Sequence, residues 1–227
     1  MSSPLSPLFS PRARTNSLSP PLHFSGGNFL LAASALNHTT PSTYTHHGLL
    51  FSSFCANGYR STPSNIGPIL YSWNTTLLHN PSNNLTNQTS LYASSGFFIP
   101  SNQAFENGQA PEALESWYHA YRATKSQYWR DVAWSYTLAQ DRTERIPSPK
   151  NNSIGGWSSI NNVLTFSGNG TENFMASYMF AEVLKYQYLI QTPKRGVWDV
   201  MGGEDGRNEF VYNTECHPLR VASKRPV

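Results

Sequence analysis

The first 105 residues of this 227-residue chain contain no aspartate and no glutamate. All 13 acids lie from Glu106 onward, so any chemistry that needs two carboxylates draws both from the second half. Arg12, Arg14 and Arg60 are the only strong bases before Glu106. Charged residues make up 13% of the chain, about half the usual share, which leaves solubility to Ser, Thr, Asn and glycans. The formal net charge of +3 comes without a basic stripe interleaved with aromatics, which argues against nucleic-acid binding. No stretch is long and apolar enough to span a membrane, and Phe29–Leu36 is too short. The two cysteines, Cys55 and Cys216, could form one disulfide, and their number alone leaves the pairing open. No matching His pair accompanies them, so a zinc site has no support. A P-loop, a nucleophile elbow and a dinucleotide fingerprint are all missing.

What is present falls into three parts: residues 1–22, 23–222 and 223–227. The first is Ser/Pro-rich with no apolar run, which predicts disorder and no signal peptide. Gly26–Leu36 reads as a short apolar helix and Gly48–Ala56 as a weaker one. Residues 57–110 read as loop, with Pro63, Pro68, Pro81 and Pro100 among many Asn. Pro111 opens a helix, where its missing N–H is no loss. Leu114, Trp117, Tyr118 and Tyr121 form one helical stripe, and Trp129, Val132, Ala133 and Tyr136 form a second. Pro147–Ser159 reads as a turn region. A third helix is expected over Glu172–Ile190, apolar nearly all round, with Met175, Tyr178, Met179, Glu182 and Tyr186 on one face. Gly202, Gly203 and Gly206 mark a loop before the tail. The sum is an all-α solenoid or barrel without a repeat of fixed length.

Three places hold candidate chemistry. Glu182 sits on an apolar face, where a carboxylate is costly unless paired or used; the plain alternative is a core Glu bonded to Lys185 or a backbone amide. Glu112 and Glu115 lie in the first turn of a helix and suit its dipole, and Glu112 stands at the mouth of that helix after a long loop. The tail Asn213-Thr214-Glu215-Cys216-His217-Pro218 follows the strand-like Phe210-Val211-Tyr212 and is dense in oxygen ligands of the kind hard cations take. An ordinary polar turn ended by Pro218 is the alternative there. Sequons at Asn37, Asn74, Asn84, Asn87, Asn151 and Asn169 point toward the secretory pathway, although such triplets are common in an Asn/Ser/Thr-rich chain.

Together these segments resemble the class I α-1,2-mannosidases, calcium-dependent glycoside hydrolases, and fungal members most of all. Phe24-Ser25-Gly26-Gly27-Asn28-Phe29-Leu30-Leu31 is similar to that family's Phe-x-Gly-Gly-x-Phe-Leu-Leu segment. Pro111-Glu112-x-x-Glu115-Ser116 resembles its Arg-Pro-Glu-x-x-Glu-Ser helix start. Gly155 to Val163 is similar to a family hairpin. Phe180 to Tyr186 and Phe210 to Pro218 are similar to its last helix and tail.

The resemblance implies the carboxyl-terminal part of an (α/α)7 barrel plugged by the tail. It implies that Thr214 binds Ca2+, that Glu112 is the general base, and that Glu182, Tyr178 and Glu215 contact the sugar. High-mannose oligosaccharides or glycoproteins in the endoplasmic reticulum, the Golgi or outside the cell would be the substrates. Hydrolysis would invert configuration, with acid and base about 6.5–9.5 Å apart. The family's general acid lies in an amino-terminal half that the match lacks, so hydrolysis by this chain alone is expected to be impaired. Alternatives are a non-catalytic calcium-dependent mannose-binding protein and an inactive helical fragment. This sequence departs from the pattern at Ala110, Ala176 and Ile69, which stand where the family has Arg, Glu and an acid. Cys55 resembles a family disulfide cysteine, but Glu144 holds the partner position, and Cys216 stands where Ala is common.

Overall fold

The computed structural model describes residues 17–18, 23–35, 41–74, 76, 79, 88–100, 111–150, 154–192, 210–215 and 217–220. Among them the chain is mostly helical, with three two-stranded antiparallel ladders. The helices are α1 (Ser25–Ala35), α2 (Pro41–Arg60), α3 (Thr89–Ser95), α4 (Glu112–Thr124), α5 (Gln127–Thr143) and α6 (Lys185–Gln191). A π-helical turn, Met179–Leu184, runs directly into α6. Ala110, Cys216, the glycine loop before the tail, the last seven residues, and the sequons at Asn37, Asn84, Asn87 and Asn151 lie outside the described residues.

Helix α4 is the hub. Every residue from Ala113 to Ala120 is buried, so the stripe read from spacing is part of a helix covered on all sides. Its first turn is set by Pro111, whose carbonyl accepts from Leu114 at 2.9 Å and Glu115 at 3.2 Å. Helix α1 lies so close to α4 that a Cβ on Gly26 would come within 2.5 Å of Ser52 Oγ and 3.0 Å of Ser116 Cβ. That approach lets the Gly27 amide donate to Ser116 Oγ at 3.0 Å. The Phe-x-Gly-Gly segment is thus a packing device, in which the missing side chains let two backbones meet. Behind it Tyr59, Trp117 and Tyr136 meet edge to face, with Tyr59 centroids 5.1 and 5.2 Å from the other two. The α5 stripe of Trp129, Val132, Ala133 and Tyr136 is buried as its spacing predicts.

Helix α6 is tied down at its carboxyl end. Arg122 Nη2 donates to the carbonyls of Leu189 (3.1 Å) and Thr192 (3.3 Å), and Arg130 Nη2 donates to Gln191 at 3.0 Å. These guanidinium groups satisfy carbonyls that a helix end leaves open.

Several expectations need correction. Helix α2 runs 20 residues, twice the stretch that apolar pattern marked, because Gly48, Ser52, Cys55, Ala56 and Tyr59 give it a buried face of small residues. The loop-rich 57–110 region holds order: β2 (Tyr71–Ser72), α3 and Phe98, whose amide and carbonyl pair with Ser72 at 2.8 Å each. Gln88 clamps Ile99 there with a bond of 2.9 Å to its carbonyl and one of 2.8 Å from its amide. Within the Ser/Pro-rich start, Ser17–Leu18 forms β1 and pairs with Tyr71–Ser72. Finally, the third helix does not begin at Glu172. Residues 171–174 are not helical: the Glu172 amide donates to the Ser159 carbonyl at 2.9 Å, and Thr171 bridges Ile160. Met175 therefore leaves the predicted face and is 43% exposed.

The stretch taken as a turn is a hairpin, β3 (Arg145–Pro147) on β4 (Ile154–Trp157), with a register shift after Ile146. The tail forms another, β5 (Phe210–Val211) on β6 (Leu219–Arg220). Tyr212 anchors it edge-on to buried Tyr118 at 6.4 Å.

Candidate active site

Glu112 and Glu115 point from the first turn of α4, and Glu182 from the π-helical turn. A π turn shifts side-chain register and recurs at functional sites. Here it buries Met179, Glu182 and Val183 while leaving Phe180 exposed. Glu182 is only 4% exposed. Among the described residues no hydrogen bond or ion pair reaches its carboxylate. The Lys185 ammonium donates to two carbonyls of the tail.

Neighbouring acids act on the Glu182 carboxyl. Burial first, then the charges of Glu112, Glu115 and Glu215, push the Glu182 carboxyl up to about 7, with Lys185 pulling the other way. Burial also raises Glu112, aided by Glu115. Glu112 Oε2 and Glu115 Oε2 are buried without hydrogen-bond partners among the described residues. Glu115 Oε1 lies 3.9 Å from His119 Nε2 on the next turn. Tyr178, half-buried at the start of the π turn, has its phenol raised by burial, then by Glu112, Glu182 and Glu144. Of the five residues singled out in the sequence, Glu182 senses Glu112 and Glu215, and Tyr178 senses Glu112 and Glu182. Glu115 completes the cluster; its placement three residues after Glu112 on a helix was the available signal.

The fifth, Thr214, lies at the tip of the tail hairpin. An Asx turn shapes that tip, with the Glu215 amide donating to Asn213 Oδ1 at 3.2 Å. From the other side Lys185 Nζ donates to the carbonyls of Asn213 (2.9 Å) and Thr214 (2.5 Å). His217 is exposed, and nothing in the tip assigns it a role.

A polar layer underlies the cluster. Gln140 Nε2 donates to Glu144 Oε2 at 2.8 Å, and Gln187 Nε2 donates to Gln140 Oε1 at 2.7 Å. Glu144 is fully buried, and Cys55 is a buried free thiol whose pKa is pushed well up by desolvation, so it is inert.

The oxygens here are of the type that hard cations take, but the tail carbonyls already accept from Lys185. Buried carboxylate oxygens without partners, together with tail carbonyls, are the ligands calcium takes. Among the described residues no three His, Cys, Asp or Glu side chains stand close enough to enclose a metal. Carboxylates in this arrangement would reach the ion through water. A separate groove of about 330 Å³ is lined by Gly156, Trp157, Glu172, Phe174 and Met175, and holds none of the residues above. Among the described residues no helix is long and apolar enough to cross a membrane.

The sequence profile of glycosyl hydrolase family 47 matches residues 13–221. A probable mannosyl-oligosaccharide alpha-1,2-mannosidase 1B of Aspergillus niger is 36% identical over 200 residues, covering 88% of this chain and 35% of that protein. The mannosyl-oligosaccharide alpha-1,2-mannosidase of Coccidioides posadasii is 35% identical over 201 residues, with the same two coverages of 88% and 35%. The solved alpha-1,2-mannosidase from Trichoderma reesei superposes with a TM-score of 0.75 at 33% identity, over 92% of this chain and 40% of that one. The chain spans about a third of the length of the curated relatives it matches. It belongs to glycosyl hydrolase family 47.

Proposed function

We propose that this chain carries the base-and-cation side of an α-1,2-mannosidase site and recognises terminal α-1,2-linked mannose on high-mannose glycans. The observation that carries this reading is the buried Glu182 carboxyl, pushed up to about 7 first by burial and then by the charges of Glu112, Glu115 and Glu215. The names of the relatives supply the sugar and the linkage. Within this reading the helices are part of an (α/α)7 barrel, the tail plugs it, and the setting is the secretory pathway.

Each residue has a task. Glu112, whose carboxyl burial raises above its ordinary value, takes the proton from the attacking water. Glu182 changes protonation near neutrality and so can accept from or donate to a sugar hydroxyl. The Tyr178 ring offers a face for the pyranose, and Glu215 accepts from its rim hydroxyls. Thr214 would hold calcium, which when bound supplies a hard positive charge for mannose hydroxyl oxygens.

Inversion also needs a carboxylic acid on the leaving oxygen, about 6.5–9.5 Å from the base. The carboxylate-free stretch before Glu106 offers none. The resemblance places the family's general acid in an amino-terminal half outside the match, and on that ground we propose that hydrolysis by this polypeptide alone is impaired while glycan binding remains. Mannose release from a high-mannose glycan in calcium tests this. The expected rate is about 100-fold or more below that of a full-length family member, the loss a missing general acid brings. Release at a comparable rate would overturn it.

A further inference from the structure

We infer that Asn169 carries an N-linked glycan, on a turn whose fold leaves its side-chain amide free for one. The inference rests on the secretory setting proposed above.

Asn169-Gly170-Thr171 is an acceptor triplet, with a hydroxyl two residues after the asparagine and no proline between. A triplet is usable only where the fold tolerates a bulky, hydrophilic chain, which must end on the surface. Of the six triplets, those at Asn74 and Asn169 lie among the described residues, and they differ. Asn74 is half-buried, and its Oδ1 accepts from the Thr76 amide at 3.1 Å. Asn169, Gly170 and Thr171 are all exposed.

The turn holds Asn169 by its backbone alone. Gly168, Asn169 and Gly170 have φ of 75°, 54° and 86°. Asparagine is one of the few residues with a side chain that enters this region readily. The glycines on either side set no side chain beside it. The facing segment binds only main-chain oxygens of the turn. The Asn162 amide donates to the Gly168 carbonyl at 2.9 Å, Asn161 Nδ2 to the Asn169 carbonyl at 3.1 Å, and the Asn161 amide to the Gly170 carbonyl at 3.2 Å. Among the described residues nothing bonds the Asn169 side-chain amide. A sugar on Nδ2 therefore displaces no hydrogen bond of the fold.

The donor is a lipid diphosphate-linked oligosaccharide. Asn169 Nδ2 forms a bond to the anomeric carbon of its first sugar. The bond from that carbon to the diphosphate oxygen breaks, and the lipid diphosphate leaves with the electron pair. The amide gives up one proton, and nothing is oxidised or reduced. Exposed Phe166 and Phe174 flank the turn in the chain. A glycan between them adds polarity to a chain with only 13% charged residues.

The full chain behind a secretory leader, expressed in eukaryotic cells beside Asn169→Asp and Thr171→Ala, tests this. Both variants break the triplet. Aspartate also tolerates positive φ. Thr171→Ala leaves the three turn residues untouched and decides the matter if the first variant has lost far-ultraviolet helix signal. Release of glycans by an amidase in heavy-oxygen water marks each asparagine that carried sugar, and separates it from spontaneous deamidation at the Asn-Gly step. The expected result is a mark at residue 169, and loss of one glycan's gel retardation in both variants. Marks at other triplets with none at residue 169 overturn the site and leave the secretory setting standing. A mark at residue 169 behind the leader, with none on the protein isolated from its own source, upholds the site and overturns the setting. No mark at any triplet overturns the site and removes the triplets as support for that setting.

Discussion

Ser116 Oγ accepts the Gly27 amide at 3.0 Å and donates to the His23 carbonyl, so one hydroxyl joins groups about 90 residues away to the helix that carries Glu112. All the partners are buried. Ser116→Ala strands an N–H and a carbonyl, and should cost about 2 kcal/mol. The urea midpoint at constant slope reads the loss. A change within about 0.5 kcal/mol would show that these groups find other partners.

Arg122 plays the matching part at the other end of α4. Its guanidinium serves Leu189 and Thr192 and lies over the Tyr118 ring at 5.3 Å. Arg122→Ala should destabilise the chain by about 2–3 kcal/mol, with Arg122→Lys intermediate because one ammonium lacks the planar fork. Equal stability of the Ala and Lys variants would contradict this.

Stability should also depend on pH through Glu182. Its folded pKa, about 7, exceeds the ordinary value of 4.5, so the folded state binds the proton more tightly than the unfolded one. The contribution is fully present below about 4.5 and is lost as pH rises through about 7. The loss is on the order of 1 kcal/mol once solvent screening is allowed for. Melting temperature recorded from pH 4.5 to 8 should fall across that window, and Glu182→Gln should flatten the fall. An unchanged slope in that variant would remove Glu182 as its source.

Glu112 should show the mark of a residue kept for function. Its buried Oε2 lacks a partner among the described residues, and its charge faces Glu115 and Glu182. Glu112→Gln therefore raises the melting temperature at pH 8, by about 2–4 °C if about 1 kcal/mol of repulsion is relieved. A lower melting temperature would assign Glu112 a structural role.

Glu182 stood out in the sequence because a carboxylate on an apolar face breaks a local rule, whereas Glu112 suits its helix dipole and was marked only by its place at a helix mouth after a long loop. The stripes of α4 and α5 were legible because 3.6-residue spacing is a local property. Three features were not. Helix α2 buries small and polar residues, Gly48, Ser52 and Gly58 among them, which carry little hydropathy signal. The pairing of Ser17–Leu18 with Tyr71–Ser72 joins distant segments that nothing local connects. The π turn adds a register shift invisible to spacing, and Lys185 at its end donates to the tail carbonyls.

Calorimetric titration of the folded chain with α-1,2-mannobiose in calcium tests the central claim most directly. The account predicts saturable heat that chelation of calcium abolishes and that Glu182→Ala weakens. No heat at millimolar disaccharide, from a chain with native helix content, would contradict it.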